Sequence, residues 1–223
     1  MKIKAVFLDF DDTLGNREYY ANQQYRELVH SCAGMVDLVE EEAVVQDCVL
    51  WDQHGTQPKE YVRAMLEQKY GIRLPMENLT TWWQEREWQK VVLFPGVEDT
   101  LHQLIASGYR LGIISNGSGA VQRRKLEQTG IIDCFDDVIV SGDYGMRKPD
   151  PKLFLLAANR MNVQPEESVM AGDIYSMDVV GAYRAGMHVI WVSRHGYQGA
   201  PIPALRSVTE LPEALEKLEA GLF

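Results

Sequence analysis

The stretch "FLDFDDTLGN", residues 7–16, decides how the rest of the chain is read. It completes a run, Ile3 to Leu8, that is apolar apart from Lys4 and reads as a buried strand. Directly after that run come three carboxylates, Asp9, Asp11 and Asp12. Like charges crowded at a strand end repel one another and are hard to desolvate. Folding alone gives no reason for them, so something of opposite charge has to face them.

Working outward, the chain shows two textures. From residue 94 onward, short apolar runs alternate with helical patterns. "YRLGIIS" (109–115), "DDVIVS" (136–141), "SVMAG" (168–172) and "HVIWVS" (188–193) read as strands. "VEDTLHQLIAS", "GAVQRRKLEQTG", "DPKLFLLAANRM", "SMDVVGAYRAG" and "LPEALEKLEAG" read as helices, the third opened by a cap and first-turn proline at Asp150 and Pro151. Continuous apolar strands between helices predict an α/β fold, a parallel sheet with helices on both faces. Residues 16–92 instead hold helical patterns and no convincing strand. The expected organisation is therefore an α/β core, 1–15 and 93–223, interrupted by a helical insertion, 16–92, with Gly15 and "LFPGV" (93–97) as hinges.

Composition narrows the function. The 223 residues are 46% hydrophobic and 24% charged, ordinary for a globular protein, with a formal net charge of -10. An acidic chain is a poor partner for nucleic acid or an anionic membrane. It can still take a small phosphorylated substrate if a bound cation dominates the local field. The three cysteines, Cys32, Cys48 and Cys134, are far apart and form no CxxC pair. They read as reduced thiols, and the early Asp9 breaks any signal-peptide core, so the expected compartment is the cytoplasm. Nothing in the sequence sets an oligomeric state.

In open α/β sheets, sites form beyond the carboxyl ends of the strands. The first strand delivers Asp9, Asp11 and Asp12 there. The second delivers Ser115 and Asn116, the loop after the third carries Lys148, and the fourth delivers Asp173 and Asp178. An acid cluster with oxygen donors and no histidine or cysteine asks for a hard cation, and Mg²⁺ fits. Such a set suits phosphoryl transfer. One carboxylate can attack phosphorus, a second can move protons, and a hydroxyl, backbone N–H groups and an ammonium can hold the phosphoryl oxygens.

Four segments in order, "DFDDT" (9–13), "SN" (115–116), "KP" (148–149) and "GDIYSMD" (172–178), resemble the motifs of the haloacid dehalogenase-like hydrolase superfamily. The helical insertion after the first motif is similar to the C1 caps of its phosphatase subgroup. The resemblance implies a Rossmann-like sheet of order 5-4-1-2-3. It implies Asp9 as nucleophile and metal ligand, and Asp11 as general acid/base with its backbone carbonyl on the metal. Ser115 and the Asn116 amide would hold the phosphoryl group, and Lys148 would bridge nucleophile and phosphate. Asp173 would be the acidic metal ligand, with Asp178 behind it. Asp12 and Thr13 are expected to support the turn through side-chain to backbone hydrogen bonds.

The insertion reads less clearly. Trp51, Trp82, Trp83 and Trp88 lie in it with Tyr19, Tyr20 and Tyr25. They either line a pocket that stacks a nucleobase or pack a helical bundle, and packing is the expectation. Arg17 and His54 are equally open to substrate or solvent, and Lys59, Lys69 and Lys90 have no special context. The expected function is a Mg²⁺-dependent phosphatase for a small phosphate monoester, acting through an aspartyl phosphate. A nucleoside monophosphate is the first candidate, and a sugar phosphate or phosphoglycolate the second. A phosphomutase and a non-catalytic phosphate-binding protein are the rivals.

Overall fold

Strand β1, Ala5–Leu8, is buried along its whole length and lies in the middle of the sheet. The computed structural model describes residues 2–33, 37–197, 199 and 201–222. The chain divides into two compact units, Met1–Gly15 with Leu93–Phe223, and Asn16–Val92.

The inserted unit contains α1 (Arg17–Ala33), α2 (Leu38–Asp52), α3 (Lys59–Tyr70) and α4 (Leu79–Gln84). Asp37 caps α2, accepting the N–H groups of Val39 and Glu40, and Asn78 caps α4, accepting that of Thr81. The sequence pattern over 79–92 predicts one helix, but the structure breaks it after Gln84, and a 3₁₀ turn follows at Glu87–Lys90. Side chains take the carbonyls at the break: Arg86 donates to Trp82 O, and Trp88 and Gln89 donate to Glu85 O.

Packing accounts for most of the aromatic side chains in this unit. Trp83 and Tyr25 are fully buried among Leu28, Val44, Val45, Val62 and Leu66, with ring centroids 4.5 Å apart. Trp51 tilts against Tyr70, and Trp82 packs on the same core beneath Arg86. A charged cluster is buried beside them. The Asp52 carboxylate takes Arg17 at 2.6 Å, Lys59, the Tyr25 hydroxyl at 2.8 Å and the Gly55 N–H at 2.9 Å. Burial works against the Asp52 charge, yet Arg17 and Lys59 outweigh it and hold the carboxyl well below its usual range. Burial and the Arg17 charge bring the Lys59 ammonium down to about 8. Arg17, which the sequence leaves open between substrate and solvent, and Lys59, to which it gives no special context, are thus the cations of a buried network.

In the core, α5 (Val97–Ala106) leads to β2 (Arg110–Ser115), and α6 (Gly119–Gln128) to β3 (Asp137–Val140). A short α7 (Ser141–Tyr144), not expected from the sequence, precedes α8 (Pro151–Arg160) and β4 (Ser168–Gly172). Then come α9 (Val180–Arg184), β5 (His188–Val192), β6 (Ala204–Leu205) and α10 (Leu211–Glu219). The sheet order is β3-β2-β1-β4-β5-β6, and every neighbouring pair is parallel. Five strands follow the expected order. The sixth is an addition: two residues held by Trp191 N–H on Pro203 O and Ser193 N–H on Leu205 O. Phe7, Ile114, Ile139 and Met170 pack against Leu153 and Phe154 of α8 and Ala182 of α9. Each such fully buried large side chain contributes roughly 1.5–3 kcal/mol.

Candidate active site

Because β1 is central, its carboxyl end has β2 on one side and β4 on the other. Asp9 follows β1 and is 5% exposed, its N–H bound to Ala171 O of β4. The chain then turns sharply. Asp12 adopts a left-handed φ of 59°, a region that aspartate tolerates better than most residues. Its N–H returns to Gly15 O, and Gly15 lies so close to the Phe10 ring that a Cβ there would come within 2.7 Å of it. Arg194 clamps the turn from outside the motifs, donating to Asp12 O and Thr13 O.

Lys148 is buried at the centre of the site. Its Nζ lies 2.9 Å from Asp9 Oδ1, 2.6 Å from Asp178 Oδ1 and 3.0 Å from Ile114 O. The Asn116 side chain fixes its backbone: Asn116 Oδ1 accepts the Lys148 N–H at 2.9 Å, and Asn116 Nδ2 donates to Lys148 O at 3.2 Å. That side chain is thus committed to holding Lys148. Ser115, 2% exposed, ends β2 directly after the carbonyl that receives the Lys148 ammonium.

Asp173 and Asp178 come from the segment after β4. The sequence predicts one continuous helix from residue 176, but the structure begins with a π-helical turn at Tyr175–Val179. Across this turn the Asp178 Oδ2 accepts the Ile174 N–H at 2.9 Å. Such turns recur at functional sites, where they re-aim a side chain. Gly172 makes room for it, since a Cβ there would sit 2.5 Å from Asp178 Cγ. Asp173 is held by Trp191, whose Nε1 donates to its carbonyl, and by Thr13, whose hydroxyl donates to its Oδ1 at 3.0 Å. The recorded Thr13 side-chain bond therefore crosses the site, rather than supporting the turn as the sequence suggests.

Asp9, Asp173 and Asp178 each bring a carboxylate oxygen within 4.8 Å of the others, a set that could hold a metal ion. Burial and mutual repulsion make the charged forms of these carboxylates costly, which a bound cation would offset. Burial pushes Asp9 up to about 6, with Lys148 opposing and Asp178 adding to the rise. Burial and then the Asp9 and Asp178 charges raise Asp173 well above the usual carboxylate range. Burial opposes the Lys148 charge, but Asp178 and Asp9 together hold its ammonium above the ordinary lysine value. An all-oxygen donor set suits a hard divalent cation.

The Asp11 carboxylate is bound from α6. Lys125 Nζ lies 3.0 Å from its Oδ1, and Gln122 Nε2 lies 2.8 Å from its Oδ2. The sequence reading assigns nothing to these two residues. The signal was present in the helical spacing, which puts them on the same stripe as the apolar Val121 and Leu126.

Among the described residues no helix is long and apolar enough to cross a membrane. A family model of haloacid dehalogenase-like hydrolases matches residues 3–186. Among characterised relatives, a glyceraldehyde 3-phosphate phosphatase of Methanopyrus kandleri is 32% identical over 201 residues, covering 88% of this chain and 86% of that one. A human N-acylneuraminate-9-phosphatase is 27% identical over 238 residues, covering 98% and 96%. The crystal structure of a HAD phosphatase from Thermococcus onnurineus aligns with a TM-score of 0.67 at 30% identity, over 96% of this chain and 98% of that one. With its four motifs gathered at one end of a parallel sheet, the chain belongs to the haloacid dehalogenase-like hydrolases.

Proposed function

We propose that the protein is a Mg²⁺-dependent phosphatase that hydrolyses a small phosphate monoester through an aspartyl phosphate on Asp9. The observation that carries this reading is the Asp9, Asp173 and Asp178 cluster, with the Lys148 ammonium against Asp9. Asp9 and Asp173, with the Asp11 carbonyl, would hold the cation, which when bound supplies charge neutralisation and orients the phosphoryl group.

The chain's own residues account for the rest. In the first half-reaction an Asp9 carboxylate oxygen attacks phosphorus, forming the aspartyl P–O bond as the ester P–O bond breaks. Asp11 gives its proton to the departing alkoxide, which leaves as an alcohol. In the second, Asp11 takes a proton from water. The oxygen of that water attacks phosphorus, the aspartyl bond breaks, and inorganic phosphate leaves with Asp9 restored. Ser115, the Asn116 N–H and Lys148 hold the equatorial oxygens as charge builds on them. Lys148 is buried, and the Asp178 and Asp9 charges favour its ammonium form.

For the substrate, the aromatic residues of the inserted unit weigh against a nucleobase. Trp83 and Tyr25 are occupied with each other and with their own hydrophobic core. The named relatives act on glyceraldehyde 3-phosphate and on N-acylneuraminate 9-phosphate. We therefore favour a small sugar or sugar-acid phosphate over the nucleoside monophosphate that leads the sequence reading. The inserted unit would act as the cap that excludes bulk water and selects the leaving group. The test is phosphate release from triose, sugar-acid and nucleoside monophosphates, with Mg²⁺ and with EDTA. Mg²⁺-dependent release strongest on the sugar phosphates supports the reading. Release unaffected by EDTA, or none from any ester, contradicts it.

A further inference from the structure

Helix α6 places Gln122 and Lys125 three residues apart, hence on one face, and both are buried, at 3% and 1% exposure. Folding asks for apolar groups there, as supplied by Val121 and Leu126. A buried ammonium is unfavourable unless it is paired. Gln122 is stranger still, because its Oε1 is buried without a hydrogen-bond partner among the described residues. Turning the amide over would not help. Its Nε2 already faces two acceptors, Asp11 Oδ2 at 2.8 Å and Asn116 O at 3.3 Å, and a carbonyl oxygen there would repel both.

Both side chains end on the same group. Lys125 Nζ lies 3.0 and 3.1 Å from the two Asp11 oxygens, and Gln122 Nε2 adds a bond to the second. Asp11 stands at an isolated β-bridge to Gly15, directly before the turn at residues 12–14, and its short side chain has more than one rotamer to choose from. A proton-transferring carboxylate works only within hydrogen-bond reach of the oxygen that it serves. We propose that Gln122 and Lys125 are positioning residues that fix the Asp11 carboxylate for proton transfer in both half-reactions. This rests on the reading of Asp11 as the general acid/base.

The test compares two esters in a single turnover with Mg²⁺ present. Glycerol 3-phosphate leaves as an alkoxide and needs a proton, whereas p-nitrophenyl phosphate leaves as a stable phenolate and does not. Lys125→Met and Gln122→Leu are measured beside Asp11→Asn. The expected result is that both α6 variants slow alcohol release at least about tenfold more than phenolate release, the pattern of Asp11→Asn. Equal slowing of the two esters in the α6 variants, with discrimination kept in Asp11→Asn, overturns this inference alone. Equal slowing in Asp11→Asn as well overturns the acid/base reading beneath it. If Lys125→Met fails to fold, Gln122→Leu decides, because it removes no charge and relieves an unpaired acceptor.

Discussion

Lys148 Nζ lies 2.9 Å from Asp9 Oδ1, and both groups are nearly closed off from solvent. The same ammonium reaches Asp178 at 2.6 Å, so one cation stands between two buried carboxylates. Lys148→Met would leave both uncompensated. Breaking a buried pair in this way costs about 3–5 kcal/mol. Losing the ammonium from the phosphoryl site should also lower kcat by about 10²–10³-fold. Urea denaturation and steady-state kinetics read the two effects, and near wild-type turnover would count against the assigned site.

The raised carboxylates give the metal effect a pH dependence. Asp9 sits at about 6 in the folded chain, above its ordinary value of 3.8. Between those values the folded state holds a proton that the unfolded state has lost, so without metal this group's contribution to stability falls as pH rises through the window. A divalent cation needs the ionised carboxylate, and its binding releases that proton. The rise in melting temperature on adding MgCl₂ should therefore be larger at pH 7.5 than at pH 5. Thermal melts with and without the salt check it, and a larger rise at pH 5 would contradict it.

Within the inserted unit, Asp52 receives Arg17 and Lys59 together, all three buried. Asp52→Asn leaves two buried cations without their carboxylate and should destabilise the protein by about 3–5 kcal/mol. Asp47, paired with the exposed Lys69, is the control. Asp47→Asn should move the denaturation midpoint very little, as is usual for surface pairs. Equal midpoints for the two variants would show that the Asp52 network contributes nothing beyond a surface pair.

The strands of the core were legible because parallel strands covered on both faces are continuous apolar runs, and "AVFL" and "SVMAG" announce themselves. The site motifs were legible because acids after an apolar run make no sense for folding. The rest depended on interactions between distant residues. Ala204 and Leu205 form a strand only because β5 offers an open edge, and two residues carry no period. The π-helical turn carries a bond from the Ile174 N–H to Asp178, while the sequence around it scans as an ordinary helix. Gln122 and Lys125 fall on the apolar stripe of "GAVQRRKLEQ", but what they hold shows only when α6 is laid against Asp11. Lys59 gained its context only when Asp52 and Arg17 closed around it.

The central claim is that Asp9 carries the phosphoryl group, and trapping the covalent enzyme tests it most directly. The protein is mixed with Mg²⁺ and a ³²P-labelled phosphate monoester that it turns over, quenched in acid within the first turnover, digested, and its labelled peptide identified. The account predicts label on the peptide that contains Asp9, and no labelled peptide from a folded Asp9→Asn protein. Label on a different residue, or undiminished phosphate release by Asp9→Asn, would contradict it.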